Sequence, residues 1–354
     1  MSKTSRRAFL SGKPTSDLFA EAVARPMEPL PTPVAAVGVE PGSHLLSVSR
    51  EAMACLFEIV FDAALFRHAT EVAVEALDLV DVLEGQLTVY RDTSDIVRIN
   101  RLAAKTPLCV ERGLFELLQR AVNLAQQTEG AFDIASGALS KTWGFYRRQG
   151  TMPSPADIAE ALAISGWKHL ALDSEQTTVA LLQPGVELNL GAIGKGFTLD
   201  RVASFLNSGG LSQFLIHGGN SSVLAQGREA GWTVALRHPQ RPNVRLAEFR
   251  LRDQALGTSG SGTQFFHYQG TRYGHILDPR TGWPADRLLS ATVIAPTAEQ
   301  ADALSTAFYV MGVEAASEYC AQHPEIGALL CQAEGSPELQ LFPLNLSDES
   351  WRRL

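Results

Sequence analysis

The sequence predicts an α+β fold, with mixed or antiparallel sheets and packed helices, because helical and extended patterns occupy different parts of the chain. Apolar residues recur at helical spacing mainly before residue 165, and β-branched and aromatic runs dominate after it. The chain does not show the regular strand–helix alternation of a parallel βαβ sheet, and it has no internal repeat. With 354 residues, 45% of them hydrophobic, it can bury one large core or the cores of two subdomains.

The first half of the chain is predicted to be mostly helical after one initial strand. That strand covers residues 56–61, where the run Leu-Phe-Glu-Ile-Val-Phe combines β-branched and aromatic residues. Helices are predicted at residues 67–84, 111–129 and 155–164, where apolar residues return every three or four positions. Gly130 is a fitting stop for the second helix, since glycine readily adopts the left-handed conformation that ends helices.

The second half is predicted to be mostly extended, with one well-marked helix at residues 297–311. Thr297 can cap this helix, Gln300 completes a capping box and Gly312 ends it. The predicted strands are residues 169–172, 178–182, 213–217, 222–225, 232–237, 247–251, 264–268, 290–295, 328–331 and 339–342.

Bulk composition disfavours several classes of function. The net charge of −8 argues against a general nucleic-acid or anionic-membrane surface, so any anion site must depend on local charge. No apolar run approaches the roughly 18 residues that a membrane-spanning helix needs. The four cysteines are scattered without a Cys-x-x-Cys pair, which disfavours zinc and a disulfide framework and predicts buried free thiols. They are Cys55, Cys109, Cys320 and Cys331.

The chain is predicted to have three regions: an N-terminal tail at residues 1–48, one domain at residues 49–345 and a C-terminal tail at residues 346–354. The run Ser-Arg-Arg-Ala-Phe-Leu at residues 5–10 is similar to a twin-arginine export signal. The residues that follow are polar and lack the apolar stretch of such a signal, so a cytoplasmic location is favoured and periplasmic export stays an alternative. Five prolines in residues 26–41 predict an extended linker.

The segment from Leu188 to Asp200 gives the strongest indication of chemistry. It places three glycines and Lys195 between an apolar, strand-like lead-in and a helix-like continuation. Glycines let the backbone approach a ligand closely, and a helix N-terminus beside a lysine attracts anions. The segment therefore predicts a loop that binds phosphate, with an ordinary strand–turn–helix corner as the alternative.

Three other clusters hold polar side chains that can do chemistry. The run His217–Asn220 ends an apolar strand and combines two glycines with a donor and an acceptor, although a glycine-rich turn is the favoured interpretation of this run taken alone. His275 titrates near neutrality and can act as an acid or a base, or can simply hold structure. Asp302 and Thr306 lie four positions apart on one helix face, where their oxygens can hold Mg²⁺. The alternative is a threonine bonded back to a helix carbonyl.

In their order along the chain, these motifs resemble those of the ApbE family of FAD:protein FMN transferases. The resemblance runs from about Met53 to Gly312 and depends on residues 87–100, 130–145, 188–200, 218–220, 275–282 and 301–312. It implies an ApbE-like, T-fold-like domain that binds FAD and a divalent metal, usually Mg²⁺. It also implies transfer of FMN from FAD to a serine or threonine hydroxyl of a partner flavoprotein, with release of AMP.

The resemblance also implies roles for individual residues. The metal would be held by Asp302, Thr306 and the backbone carbonyl of Ala192, with Ser305 as a weaker candidate. His275 matches a histidine implicated in transfer, and the sequence does not decide whether His275 or Asp302 accepts the hydroxyl proton. The positions that match FAD contacts are Met53, Tyr90, Ala131, Phe132, Asp133, Asn189, Lys195 and Ile276. Of these, Tyr90 and Phe132 would offer flat surfaces to the flavin or adenine ring.

The chain departs from the family pattern at positions that bear on ligand binding. Met53-Ala54-Cys55 stands where Met-Gly-Thr is common, and Asn189 stands where aspartate is usual. These departures keep open a non-catalytic flavin-binding protein. An FAD pyrophosphatase with water as the acceptor also stays open, because the same site would serve it. An esterase is disfavoured because no Gly-x-Ser-x-Gly elbow occurs. A Walker phosphate loop is also disfavoured, because Gly196 follows Lys195 where serine or threonine is required.

Overall fold

The computed structural model describes residues 45–354, apart from residues 148, 261, 263 and 334–338. Residues 1–44 of the predicted N-terminal tail, including the twin-arginine-like start and the proline-rich linker, lie outside the described residues. The strands are β1 (Leu45–Ala52), β2 (Cys55–Asp62), β3 (Leu108–Cys109), β4 (Leu170–Asp173), β5 (Thr178–Leu181), β6 (Phe214–Gly218), β7 (Ser222–Gln226), β8 (Trp232–His238), β9 (Arg241–Leu251), β10 (Gln254–Gly260), β11 (Phe265–Tyr268), β12 (Thr271–Gly274), β13 (Ser290–Ala295), β14 (Gly327–Ala333), β15 (Leu339–Leu344) and β16 (Trp351–Arg353).

The helices are grouped in the first part of the chain and around residue 300. They are α1 (Ala69–Leu87), α2 (Asp95–Leu102), α3 (Arg112–Gln127), α4 (Gly137–Thr142), α5 (Pro155–Ala163), α6 (Gly194–Ser208), α7 (Ala298–Met311) and α8 (Val313–Gln322). Single 3₁₀ turns occur at Phe145–Arg147 and Trp167–His169. Among the described residues, no helix combines the length and the apolar character that crossing a bilayer requires.

Eight strands form one sheet in the order β1-β2-β6-β7-β10-β13-β14-β15. Every neighbouring pair in this sheet is antiparallel. Three smaller antiparallel sheets have the orders β16-β9-β8, β3-β5-β4 and β11-β12. The predicted α+β class with antiparallel sheets and packed helices is therefore confirmed.

The eight-stranded sheet separates two hydrophobic cores, because successive side chains of a strand point to opposite faces. On β2, Phe57, Ile59 and Phe61 join the core that α1, α3, α6 and α7 share. Val60, between them, joins a second core that includes Trp232 of β8 and further residues of β9. The helices therefore pack on one face of the sheet and the three-stranded sheet β16-β9-β8 packs on the other.

Most of the predicted elements are present in the structure. The predicted strand at 56–61 is β2, and the four predicted helices correspond to α1, α3, α5 and α7. Each of the ten later predicted strands overlaps a strand of the structure. The Thr297 hydroxyl accepts from the Gln300 N–H at 3.2 Å, which confirms the cap of α7. The reciprocal half of the capping box is not formed, because the Gln300 side chain accepts from the Thr297 hydroxyl instead.

Several elements are missing from the sequence prediction because local signals are weak. Helix α2 has eight residues, too few to show helical periodicity clearly, although Ser94 caps it by accepting from the Val97 N–H at 3.1 Å. Strand β10 contains Gly257 and Gly260, which have low strand propensity. It is extended because β7 and β13 pair with it on both sides. Tertiary pairing overrides local propensity there.

The domain boundaries differ from the predicted ones at both ends. Strand β1 begins at Leu45, four positions before the predicted start of the domain, and pairs along its whole length with β2. The predicted C-terminal tail, residues 346–354, contains β16, which pairs with β9. The C-terminal residues therefore belong to the folded domain. A short strand of this kind is hard to distinguish from a tail in the sequence, because its pairing partner is about 100 residues away.

All four cysteines are free thiols. Cys320 and Cys331 are buried as predicted, but Cys109 is exposed and Cys55 is only partly buried. Burial raises the pKa of the Cys55 thiol to about 11, so this residue is protonated at neutral pH and is a weak nucleophile.

Candidate active site

One cavity of about 550 Å³ collects the residues that the sequence singles out. Its lining comes from the β1–β2 turn, the start of α6, the middle of α7 and the loop that follows β12. All of the predicted site residues line it, namely Met53, Tyr90, Ala131, Phe132, Asp133, Asn189, Ala192, Lys195, His275, Ile276, Asp302, Ser305 and Thr306. The fold therefore brings residues from both halves of the chain to one place.

The helices that carry Lys195 and Asp302 pass very close to each other because Gly196 has no side chain. A β-carbon at Gly196 would lie 2.1 Å from the carbonyl oxygen of Ala298 in the first turn of α7. About one turn further along α7, a β-carbon at Gly257 of β10 would lie 2.3 Å from the carbonyl oxygen of Ala301. Glycine at both positions lets α6 and β10 approach the backbone of α7 closely.

Helices α6 and α7 cap each other with carboxylates, a buried one from Asp302 and a partly buried one from Asp200. Asp302 Oδ2 accepts from the Gly196 N–H at 2.7 Å, and its Oδ1 accepts from the Ser222 hydroxyl at 2.6 Å. In return, the two carboxylate oxygens of Asp200 accept from the first two N–H groups of α7, each at 2.9 Å. Each negative charge lies at the positive end of the other helix. Burial raises the pKa of Asp200 to about 6, with a smaller contribution from the neighbouring carboxylates.

This mutual capping leaves fewer free N–H groups for the anion site that the sequence predicts. The Gly194 N–H donates to the Leu190 carbonyl at 2.7 Å, and the Gly196 N–H is taken by Asp302. Among the first three residues of α6, Lys195 alone has an N–H without a hydrogen bond to another described residue. The helix N-terminus as a whole is therefore not free for phosphate, and an anion bound there would be left with the N–H and the ammonium of Lys195.

The segment before α6 is held by side-chain and single backbone hydrogen bonds and not by a sheet. The Asn100 amide donates to the Leu188 carbonyl at 3.0 Å and accepts from the Leu188 N–H at 2.7 Å. Asn189 donates its backbone N–H to Ile134 at 2.7 Å, and its side-chain oxygen accepts from the Gly191 N–H at 2.9 Å. The predicted strand-like lead-in is therefore wrong. Asn189 keeps an acceptor role that needs no negative charge.

The metal ligands that the resemblance implies are all oxygens, which lie on Asp302, Thr306, Ser305 and the Ala192 backbone. Each carboxylate oxygen of Asp302 keeps a second lone pair beyond the hydrogen bond it accepts. Within the described residues, no group of three or more His, Cys, Asp and Glu side chains is arranged to hold a metal. A single carboxylate with neutral oxygens fits a hard cation such as Mg²⁺, which often completes its coordination with water and substrate phosphates.

His275 is held in one tautomer by the backbone. Its Nδ1 lies 3.1 Å from the Gln264 carbonyl oxygen. A carbonyl can only accept, so Nδ1 carries the hydrogen and Nε2 of the neutral ring has a free lone pair. Burial lowers the pKa of His275 below its usual value of 6.5, and the charge of Lys195 lowers it further. His275 is therefore neutral at pH 7 and its Nε2 can accept a proton.

Two predicted ligand contacts are structural in part. The Asp133 oxygens accept from the backbone N–H groups of Ala135 at 2.8 Å and of Trp167 at 2.7 Å. Burial raises the pKa of the Asp133 carboxyl. Phe132 lines the cavity but is 1% exposed and belongs to the helix-side core, so little of its ring is open to a ligand. Tyr90 is 62% exposed and lines the cavity, so its ring remains accessible to a ligand.

The run His217–Asn220 is a structural turn and its histidine does not line the cavity. His217 is buried, with Nε2 2.7 Å from a Glu58 carboxylate oxygen and Nδ1 3.2 Å from the Gly219 carbonyl. Gly219 has φ +59°, which favours glycine. The glycine-rich turn is therefore the better interpretation of this motif. Ser221, directly after it, does line the cavity.

Sequence reasoning assigned no ligand role to several polar or aromatic residues of the lining, among them Glu84, Phe145, Ser259 and Gln264. Phe145 contacts His275 edge to face, with ring centres 6.5 Å apart. Glu84 forms an ion pair with Arg91 at 3.0 Å. Neither Glu84 nor Gln264 lies in a pattern that marks a site. Phe145 ends residues 130–145, one of the segments on which the family resemblance depends, so its place in that motif is the signal that could have found it.

The β1–β2 turn at the cavity holds two non-glycine residues in the left-handed region, Met53 at φ +50° and Ala54 at φ +59°. A left-handed alanine costs roughly 1–2 kcal/mol. Glycine relieves this strain, but only part of the gain remains because glycine makes the unfolded chain more flexible. We expect Ala54→Gly to raise the free energy of unfolding by about 0.5–1 kcal/mol in urea denaturation. Ala52→Gly, in the adjoining strand, should lower it. An unchanged or lower stability of Ala54→Gly would contradict the strained turn.

Comparisons with known proteins agree with the fold. The model of the ApbE family matches residues 53–330. An FAD:protein FMN transferase of Klebsiella pneumoniae is 34% identical over 268 residues, which cover 75% of this chain and 83% of the relative. One of Treponema pallidum is 34% identical over 286 residues, 74% of this chain and 78% of the relative.

Solved structures give the same result. The crystal structure of the ApbE protein of Thermotoga maritima has a TM-score of 0.77 at 28% identity, covering 85% of this chain and 97% of that one. The flavin transferase ApbE of Vibrio cholerae has a TM-score of 0.75 at 26% identity with the same coverage. The chain is an α+β protein whose candidate active site is one cavity of about 550 Å³. It belongs to the ApbE family.

Proposed function

We propose that this chain is a flavin transferase, which moves FMN from FAD to a serine or threonine hydroxyl of a partner flavoprotein and releases AMP. One observation carries the proposal: Lys195, His275 and Asp302 line one cavity in a chain of the ApbE family. The curated relatives that the chain matches are named FAD:protein FMN transferases. The cavity volume of about 550 Å³ lies within the usual range for small-molecule sites.

Lys195 is the group that would bind the diphosphate of FAD. Its ammonium and its free backbone N–H offer two donors from one residue, and phosphoryl transfer depends mainly on positioning and on charge stabilisation. Asp302, Thr306 and the Ala192 carbonyl would hold Mg²⁺, with Ser305 next to them. When bound, this ion would neutralise negative charge on the diphosphate. Tyr90 supplies an exposed aromatic ring for one end of the dinucleotide.

His275 is the proposed base. In the transfer, the acceptor oxygen forms a bond to the phosphorus of the FMN half, and the bond from that phosphorus to AMP breaks. The hydroxyl proton passes to Nε2 of His275, whose lone pair is free because Nδ1 donates to Gln264. Both oxygens of Asp302 already accept hydrogen bonds and their remaining lone pairs would serve the metal, which favours His275 over Asp302 for this role.

The proposed base predicts a specific pH dependence. The kcat/KM for the acceptor should fall as the pH drops through the pKa of His275, which burial places below 6.5. His275→Gln should lower transfer by about 10²–10⁴-fold and remove this acid limb. The measurement is the pH profile of both proteins between pH 5 and 8, with thermal unfolding as the check of folding. An acid limb that survives in His275→Gln would contradict the assignment.

The proposed function is tested by mass spectrometry of a candidate acceptor after incubation with this protein, FAD and Mg²⁺. We expect one FMN phosphoester on a serine or threonine and one AMP released for each acceptor labelled. A parallel reaction without acceptor measures hydrolysis of FAD to FMN and AMP. AMP release at the same rate with and without acceptor, and an unlabelled acceptor, would instead identify a pyrophosphatase. FAD binding without any AMP release would identify a non-catalytic flavin-binding protein.

A further inference from the structure

Ser259 is a cavity residue whose side chain contacts both hydroxyls of the implied metal site. It lies on β10, and its Oγ is 2.8 Å from Ser305 Oγ and 3.0 Å from Thr306 Oγ1. Ser305 Oγ in turn donates to the backbone carbonyl of Asp302 at 2.9 Å. Three hydroxyls and one carbonyl therefore form a connected chain beside the Asp302 carboxylate.

The hydrogens of this chain can be assigned by counting. Each hydroxyl has one hydrogen, and the Asp302 carbonyl can only accept, so Ser305 uses its hydrogen there. The Ser259–Ser305 bond must then take the hydrogen of Ser259. The Ser259–Thr306 bond is left to the hydrogen of Thr306, whose other acceptor, the Asp302 carbonyl, is more distant at 3.4 Å. The direction of donation is therefore Thr306 to Ser259 to Ser305 to the Asp302 carbonyl.

This order decides what each hydroxyl offers to a cation. Thr306 donates its hydrogen to Ser259 and accepts no hydrogen bond from the other two hydroxyls, so both lone pairs of its oxygen stay available. Ser305 accepts from Ser259 and keeps only one. We propose that Ser259 is a positioning residue for the divalent-cation site, because it fixes the Thr306 hydroxyl with its hydrogen away from the cation. This inference depends on the metal site of the proposed function and extends it to a residue beyond the implied ligands.

The backbone around Ser259 is held firmly enough for this role. Ser259 pairs with Ala291 of β13, so β10 is fixed within the large sheet. The close approach of Gly257 to the Ala301 carbonyl presses the same strand against α7. The distance between Ser259 and the helix that carries Thr306 is therefore set by two independent contacts. Oriented partners of this kind commonly change metal affinity by about 10–100-fold.

The test measures Mn²⁺ binding by the electron paramagnetic resonance signal of the free ion, with the full chain and without turnover. Ser259→Ala should raise the Kd for Mn²⁺ by about 10–100-fold. Ser259→Thr, which keeps a hydroxyl, should restore most of the affinity. The matched control is Ser290→Ala, because Ser290 lies opposite Gly260 on the neighbouring strand and does not line the cavity. It should bind Mn²⁺ like the unsubstituted protein.

A second measurement separates positioning from a general structural effect. If Ser259 acts through Thr306, Ser259→Ala should have no further effect on Mn²⁺ affinity in a Thr306→Val background. Unchanged Mn²⁺ affinity in Ser259→Ala, or full additivity with Thr306→Val, would overturn the proposal. So would a complete lack of Mn²⁺ binding by the unsubstituted protein. Weakened Mn²⁺ binding in Ser259→Ala, together with no flavin transfer by the unsubstituted protein, would support the inference and reject the proposed function.

Discussion

Replacing Asp302 with asparagine should abolish flavin transfer while the protein stays folded. The asparagine oxygen can accept from the Gly196 N–H, and its NH₂ can donate to the Ser222 hydroxyl, which is able to reverse its role. Both hydrogen bonds survive, but the one carboxylate among the implied metal ligands is lost. Since the loss of an outer-shell partner already costs about 10–100-fold, we expect transfer to fall by more than about 100-fold.

Transfer rate and thermal unfolding should be measured on the same preparation of Asp302→Asn. Asp302→Ala is a weaker test, because it leaves a buried N–H and a buried hydroxyl without their acceptor. Each such group costs roughly 1–3 kcal/mol, so lost activity could then come from lost folding. Adding Mn²⁺ in excess should not restore flavin transfer by Asp302→Asn. Near-normal transfer by a folded Asp302→Asn protein would reject the proposed metal ligand set.

Gly196→Ala should be the most destabilising single-methyl change near the cavity. Its β-carbon would lie 2.1 Å from the Ala298 carbonyl oxygen and 2.7 Å from the Glu299 nitrogen, which are backbone atoms that cannot rotate away. Helices α6 and α7 would have to separate, and the capping of α6 by Asp302 would be lost with them. We expect the free energy of unfolding to fall by at least about 3 kcal/mol. The Tm should fall by roughly 6 °C or more.

Gly194→Ala is the matched control for this prediction. Gly194 lies in the same first turn of α6, but the nearest atoms to its β-carbon would be side-chain carbons at 3.8 and 3.9 Å, an ordinary contact distance. Alanine is also the better helix former, so Gly194→Ala should be neutral or stabilising by up to about 1 kcal/mol. Equal Tm values for the two variants would mean that the helix crossing is looser than the structure shows.

The fold was predictable where the signal is local. The amphipathic pattern of α3 and the cap of α7 by Thr297 are properties of adjacent residues, and both appear in the structure. Strand β10 was missed because its glycines lower strand propensity, and its conformation comes from β7, β13 and α7. Strand β16 was missed because its pairing partner, β9, is remote in the chain.

The candidate site was predictable as a set of residues but not as a set of contacts. Lys195 and Asp302 stand out in the sequence because of their neighbours in local motifs. Nothing local shows that Asp302 occupies the N–H of Gly196, or that Phe132 turns its ring into the core. The expectation that every N–H group at the start of α6 is free for an anion was too broad, because Asp302, which accepts from one of them, lies on another helix.

The sequence by itself determined the family of this protein and which residues bear charge, protons and oxygen donors, because these properties belong to single residues and to short runs. Only the tertiary structure decided which of those groups remain free. Asp302 and Asp200 cap each other's helices, and Ser259 joins Thr306 to Ser305. The physical reason is that a hydrogen bond consumes a donor or a lone pair, and packing between distant elements decides which ones are consumed.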